Sequence, residues 1–512
     1  KWDQETGRFE IALIDLVRDD GSPRPGLHIE EEALEAARDA LHERKLFHST
    51  RTDTDAHAAT AGLSTGIGEQ TATASVKHLE AATGGIPDWF GVELYPYQKL
   101  GALSAAAGHP LLADDMGLGK TFQSLAVAAI TGRRKLLAVV PPIVLTNWKR
   151  EIVKAGLFTE DQVVIFVSGR KEPDLPDEVG AVVVSDSLLV SRPQLFERLV
   201  DWEPDALVYD EAHRMRGLKT ARSEMMRDLS DAMLDDTVIL ALTGTPLFSN
   251  PIELLPVLQF VRLLDPVFGG FSAYTERFCR RNNFNQWVAR VKALPELRRL
   301  LDEHVWVRRH KVDVLPDLPD KSYASTWLDV PLGDYRKANA ELAVKINEWL
   351  DDFEAQLKRL PDDGEIKEWA TGKIGLMSPL RVAAGVAKVP STVELISDWV
   401  ESNAEYDDHG DPEFDRPLIV WAQHHEVMDE LAHQVGAKLP ELIGDSRIAI
   451  IDGRTSHNQR TRIVDDFQAG RIGVLIAQIA AAGVGITLTR SSDAIFAETD
   501  WSAPLIQQAE DR

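Results

Sequence analysis

The stretch LLADDMGLGKT at 111–121 sets an apolar run before two glycines, a lysine and a threonine, and the helix-like FQSLAVAAI follows it. This spacing suits phosphate capture. Gly117 and Gly119 let backbone N–H groups converge on phosphate oxygens at a helix N-terminus, Lys120 reaches the terminal phosphates, and the Thr121 hydroxyl binds Mg²⁺. Against the GxxxxGK[ST] template one position departs: Asp114 stands where the first glycine belongs. A glycine-rich strand-to-helix turn is the other reading. Farther on, ALVYD closes an apolar run and continues as Asp210, Glu211, Ala212 and His213. An acidic pair at a strand's carboxyl end is what Mg²⁺-dependent hydrolysis requires, one carboxylate serving the metal and the other orienting and deprotonating water. The bland alternative is a helix N-cap with first-turn charge. LTGTP at 242–246 ends the next run; by itself it is a turn, and in this order its threonines suggest a hydroxyl relay.

These residues need a frame, and the apolar runs supply one. LLAVV (136–140), VVIFV (163–167), AVVVS (181–185), ALVYD (206–210) and VILAL (238–242) are apolar on both faces and joined by helix-length connections. That pattern predicts a parallel sheet covered by helices on both sides. A second set, LIVWA (418–422), IAIID (448–452), VLIAQ (474–478) and AIFAE (494–498), predicts a second α/β lobe. Between them Ile346, Trp349, Leu350, Phe353, Leu357 and Leu360 recur at helical spacing until Pro361. The expected division is an N-terminal accessory region over 1–90, a first lobe over 91–250, a helical insertion over 251–400 and a second lobe over 401–512. Within the first region 9–17 reads as a strand, 29–47 as an amphipathic helix and 50–75 as a linker, with no chemistry evident.

Composition narrows the class. The 512 residues carry a net charge of −25 with 44% hydrophobic side chains, which argues against wholesale disorder and against coating nucleic acid or anionic membrane by bulk charge. A local basic groove remains compatible. Cys279 is the only cysteine, so no internal disulfide forms, and no HExxH or cysteine companion supports a zinc site. The apolar stretch at 136–145 is too short for a bilayer and contains two prolines. No secretory leader appears, but the sequence starts at Lys1 rather than Met and stops abruptly, so targeting tails can lie outside it. The expectation is an intracellular protein, cytoplasmic or nucleoid-associated, or nuclear if eukaryotic.

DDMGLGKT, DEAH and LTGTP, in this order, resemble the Swi/Snf family of helicase-like ATPases within helicase superfamily two. LYPYQKLGA (94–102) resembles the family's adenine-reading segment, and PPIVLTNWKREI (141–152) its segment along the nucleic-acid backbone. VWVRRHKVDVLPDLPDK (305–321) and MSPLRVAAGVAKVP (377–390) resemble blocks that mark this family more narrowly. IDGRTSHNQRTRIVDDFQ (451–468), AAAGVGITLT (480–489) and DWSAPLIQQAEDR (500–512) resemble the blocks of the second lobe. The resemblance implies two RecA-like parallel-sheet lobes with ATP between them and double-stranded or branched DNA across both. It implies translocation along the duplex, usually without strand separation, and protein partners in a larger complex.

Carried over residue by residue, it implies that Gln98 reads adenine, that Gly117, Gly119, Lys120 and Thr121 hold phosphate and Mg²⁺, and that Asp210 serves the metal while Glu211 is the base. His213, Thr243 and Thr245 would transmit nucleotide state. Gly483 and Gly485 would meet nucleotide and DNA, Gln508 would open the final motif, and Arg512 would be its first arginine. The family's final motif carries a second arginine, so the natural chain is expected to continue past Arg512. Lys149, Arg150 and Arg460 are expected along the DNA groove. Trp148 and Trp501 are expected to pack, and Arg308–Arg309 reads equally as a solvated cluster or as a brace. LPELRRLLDEHVWVRRHK (294–311) looks closest to the fork-remodelling, annealing-helicase branch. A strand-separating helicase and a non-catalytic scaffold subunit of a DNA-processing or defence complex are the other readings.

Overall fold

The computed structural model describes residues 79–512 except 82, 168–172, 177, 245–249, 283–285, 316–320, 329, 363–364, 367–368, 370–373, 404, 407–411, 414–415, 440–447, 483–485, 487, 501 and 512. The elements read from 9–17, 29–47 and 50–75 lie outside the described residues.

Two parallel sheets organise the chain. The first has seven strands: β1 (Leu111–Leu112), β2 (Leu136–Val140), β3 (Val163–Ile165), β4 (Ala181–Ser185), β5 (Ala206–Tyr209), β6 (Val238–Leu242) and β7 (Trp306–Val307), in the order β3-β4-β2-β5-β6-β1-β7. The second has four: β8 (Leu418–Ala422), β9 (Ile448–Ile451), β10 (Val474–Gln478) and β11 (Asp493–Phe496), in the order β9-β10-β8-β11. Every pairing in both is parallel. The continuous apolar runs arise because each strand feeds two cores at once. Leu137 and Val139 enter one cluster and Leu136, Ala138 and Val140 the other. In the second sheet Ile419 and Trp421 face one side while Leu418, Val420 and Ala422 face the opposite one. With a period of two and helices on both faces, the interior strand positions are apolar, and the polar residues Ser185, Gln478 and Asp493 fall at strand ends.

Helix α1 (Pro96–Ala106) precedes β1; α2 (Lys120–Ile130) and α3 (Leu145–Lys154) follow β1 and β2. Between the sheets run α4 (Gly333–Leu357) and α5 (Ser378–Asn403). In the second lobe lie α6 (His425–Lys438), α7 (His457–Gln468) and α8 (Ala503–Glu510).

The expected boundaries shift. β7 pairs with β1, Leu111 against Trp306 and Leu112 against Val307, so the first sheet closes at 307 rather than near 250. On the other side, Val389, Val393, Ile396 and Val400 of α5 share a core with β8, so the second lobe's packing begins before 401. The helical spacing from Ile346 falls on α4, which runs to Leu357. α4 buries none of its residues fully. Its stripe is gathered by a small aromatic cluster in which Trp349 stacks on Trp369 at 4.6 Å and tilts against Phe353. Among the described residues no helix is long and apolar enough to cross a membrane.

Candidate nucleotide site

β1 and β7 leave the sheet side by side, and this parallel exit builds the glycine loop. Beyond the strands Ala113 N–H donates to Val307 O at 2.8 Å and Asp115 N–H to Arg309 O at 3.0 Å. Gly117 and Gly119 then take φ of +79° and +74°, a left-handed backbone that glycine adopts without a Cβ clash. Gly119 is also the N-cap of α2 and brings no side-chain acceptor, so no N-cap side chain takes up the first-turn N–H groups. Lys120 Nζ donates to the loop carbonyls of Asp114 at 2.9 Å and Asp115 at 3.1 Å. Gln98 is buried against the same loop: its amide donates to Leu118 O at 3.2 Å and its Oε1 accepts from Tyr95 N–H at 2.9 Å.

The departure at Asp114 has a physical reason. Asp114 is fully buried and receives Arg309 N–H at 3.0 Å, Arg309 Nε at 2.9 Å and Gln123 Nε2 at 2.9 Å, while Arg309 Nη2 also reaches its second oxygen. Arg309 Nη1 donates onward to Tyr97 O. Of the two readings of Arg308–Arg309, the brace describes Arg309, which ties the glycine loop to α1 and β7. Gly101 on α1 is small for that reason, since a methyl there would collide with Gln123 Oε1 and Arg309 Nη2. Alanine normally favours a helix by about 1 kcal/mol over glycine. Here the collision with a buried ion pair wins, and Gly101→Ala is expected to cost about 1–3 kcal/mol of stability in chemical denaturation.

The acidic pair follows directly on β5, within reach of the charge of Lys120. Asp210 Oδ2 accepts from the indole N–H of Trp148 at 2.9 Å, and its Oδ1 accepts from Glu211 N–H at 2.9 Å. Trp148 is packed as expected, 1% exposed, and it also orients this carboxylate. Glu211 holds φ +54°, a conformation that costs a non-glycine residue about 1–3 kcal/mol and that the surrounding contacts must enforce. His213 Nδ1 lies 3.1 Å from Glu211 Oε2 and 3.3 Å from Thr243 Oγ1, so three residues from two strand ends form one chain of polar contacts. Burial, and then the charge of Glu211, push Asp210 up to about 6. Glu151 of α3 joins them: it accepts from Asn147 at 2.9 Å and lies near the Thr121 hydroxyl, and burial pushes it up to about 7.

Carboxylates so placed carry a pH signature. Folding raises Glu151 from 4.5 to about 7, so the folded chain keeps a proton that the unfolded chain releases, and stability falls as pH rises through that window. Glu151→Gln is therefore expected to stabilise the nucleotide-free chain by on the order of 3 kcal/mol near pH 8 and by less than about 1 kcal/mol near pH 5. Denaturant melts at the two pH values read this directly.

The remaining candidates scatter. Gln508 is buried on α8. Lys149 Nζ turns inward to Val163 O at 3.1 Å rather than lining a groove. Arg150 forms a two-pronged pair with Asp465 of α7 at 2.8 and 2.9 Å, bridging the lobes, and Arg460 donates to Asp452 O at 2.7 Å. Thr245, Gly483, Gly485, Trp501 and Arg512 lie outside the described residues.

Residues 99–336 match the SNF2-related domain and residues 411–512 the helicase conserved C-terminal domain. The chain belongs to the Swi/Snf family of helicase-like ATPases. The two matches of this Swi/Snf chain fall one on each sheet, β1–β7 within the first and β8–β11 within the second. It is 29% identical over 426 residues to a Caenorhabditis elegans "SWI/SNF-related matrix-associated actin-dependent regulator of chromatin subfamily A-like protein 1 homolog", covering 82% of this chain and 56% of that protein. It is 28% identical over 438 residues to the Mus musculus "DNA annealing helicase and endonuclease ZRANB3", covering 83% of this chain and 38% of that protein. The chain thus spans roughly half or less of these relatives. A similar solved structure is the "Sulfolobus solfataricus SWI2/SNF2 ATPase core in complex with dsDNA", with 20% identity, a TM-score of 0.39, and 80% of this chain and 83% of that chain covered.

The sequence reading of this Swi/Snf chain passed over Asp114's partner and Glu151. Asn147 and Glu151 stand four apart on α3, the spacing at which helical side chains meet, and that was the available signal.

Proposed function

We propose that this chain is an ATP hydrolase driven by duplex DNA, moving along it by opening and closing its two lobes. The observation that carries this is the cluster of half-buried Asp210 with buried Glu211, His213 and Thr243, set against Lys120 and the glycine loop. In this reading the N–H groups of Gly119 and α2 take the phosphates, Lys120 leaves its loop carbonyls for the terminal phosphate, and Gln98 faces adenine. Asp210, Glu151 and the Thr121 hydroxyl are hard oxygen donors, a set that suits Mg²⁺. Thr121 and Asp210 would hold it, and the ion when bound supplies charge neutralisation on the phosphates. Glu211 orients the attacking water and takes its proton, and His213 and Thr243 relay the state of Glu211 toward the end of β6.

Duplex or branched DNA would cross the lobes near Arg150 and Arg460, contacted through phosphates rather than bases. Similarity to relatives named as annealing helicases supports fork-like substrates. Arg150→Ala is expected to weaken binding uniformly across sequences and to lower the slope of log K against log salt by about 1. Asp465→Asn, which releases Arg150, is expected to strengthen binding. Filter binding across a salt series checks both. Movement itself is tested by release of a third strand from a triplex. ATP-dependent release with a plain duplex left intact is the expected result; unwinding of the plain duplex makes the chain a strand-separating helicase, and no release overturns translocation.

A further inference from the structure

Lys311 belongs to the segment that braces the glycine loop, yet its side chain does something different from Arg309. Its backbone N–H donates to Asp115 Oδ2 at 3.0 Å, beside His310 Nδ1 on the same carboxylate, so its Cα is fixed to the loop. From there the side chain runs over Gly117. A Cβ at that exposed glycine would stand 3.5 Å from Lys311 Cε and 3.6 Å from Nζ. The ammonium therefore lies on the solvent face of the glycine loop and ends at Asp511, just after α8 of the second lobe, at 3.0 Å. Asp511 has a second cation, Lys321 Nζ at 2.7 Å.

We infer that Lys311 is a second phosphate-contacting cation, handed from Asp511 to the nucleotide when the site fills. This rests on the reading that the glycine loop binds nucleotide. Three features support it. A lysine is a compact charge on a flexible stem, suited to swinging between two anions while its backbone stays fixed. A polyphosphate brings more negative charge than one carboxylate, so the ammonium gains by the exchange. Lys321 stays on Asp511, so releasing Lys311 does not strand a partly buried carboxylate. The exchange would also loosen one of the ties between the lobes, linking nucleotide uptake to movement of α8, which carries Gln508 and leads to Arg512.

The test is equilibrium titration with fluorescent methylanthraniloyl-ATP on the whole chain. Lys311→Met is expected to weaken binding about tenfold, the loss of one charge-assisted contact. Asp511→Asn, which removes the competitor, is expected to tighten it about threefold by mass action. In the Lys311→Met background Asp511→Asn should change nothing, and Lys321→Met alone, which leaves Asp511 without a cation once Lys311 departs, should weaken binding. A misfolded protein does not bind more tightly, so the Asp511→Asn arm separates the inference from structural damage. Unchanged affinity in Lys311→Met, or weaker binding in Asp511→Asn, overturns it. Lys120→Ala tests the underlying site: if wild type takes up the probe and Lys120→Ala does not, the site stands whatever Lys311 does. If wild type takes up none, both readings fall.

Discussion

Glu211→Gln is expected to leave ATP binding within a few-fold of wild type and to slow hydrolysis by about 10²–10⁴, the worth of a positioned general base. The substitution preserves shape. Glutamine fills the same buried space, keeps the +54° backbone, and still offers an oxygen 3.1 Å from His213 Nδ1. Only the proton acceptor is lost. Lys120→Ala should act differently, weakening both uptake and turnover, because it removes a phosphate ligand rather than the base. Single-turnover hydrolysis beside equilibrium binding separates the two effects. A Glu211→Gln chain that turns over ATP at the parental rate would remove Glu211 from the chemistry.

The second large effect concerns Arg309. Removing it leaves Asp114 fully buried without its cation, and breaking a buried pair from one side costs about 3–5 kcal/mol. Arg309→Met is therefore expected to lower the unfolding free energy of the first lobe by that amount in denaturant melts and to abolish nucleotide binding along with it. Taking away both partners is a different experiment. Asp114→Gly in the Arg309→Met background restores the glycine of the generic phosphate-loop template and leaves no stranded charge, so most of the lost stability should return. If the double variant is as unstable as Arg309→Met, the cost lies in lost packing rather than in an uncompensated carboxylate.

How much of this was legible follows from distance along the chain. LLAVV, AVVVS and LIVWA announced their strands because both faces of each are buried, and a run without polar interruption has few other uses. The glycine loop was legible because left-handed backbone at Gly117 and Gly119 demands that residue type. Asp114 read as a defect because its partner lies 195 residues away. β7, two residues long, was too short to register as a strand, though it supplies the brace. The resemblance drew attention to 377–390 without showing that α5 would pack against β8. For NWKREI the resemblance drew attention to nucleic acid, while Trp148 and Glu151 turn inward to Asp210 and Thr121.

In the proposed function hydrolysis is coupled to DNA, because DNA draws together the two lobes that complete the nucleotide site. Steady-state ATP hydrolysis by the purified chain, measured with no nucleic acid, with duplex DNA, with a branched duplex and with single-stranded RNA, tests it most directly. The expected order is strong stimulation by duplex and branched DNA, little by RNA, and a low rate alone. Hydrolysis that is indifferent to duplex DNA, or greater with single-stranded RNA, would contradict it.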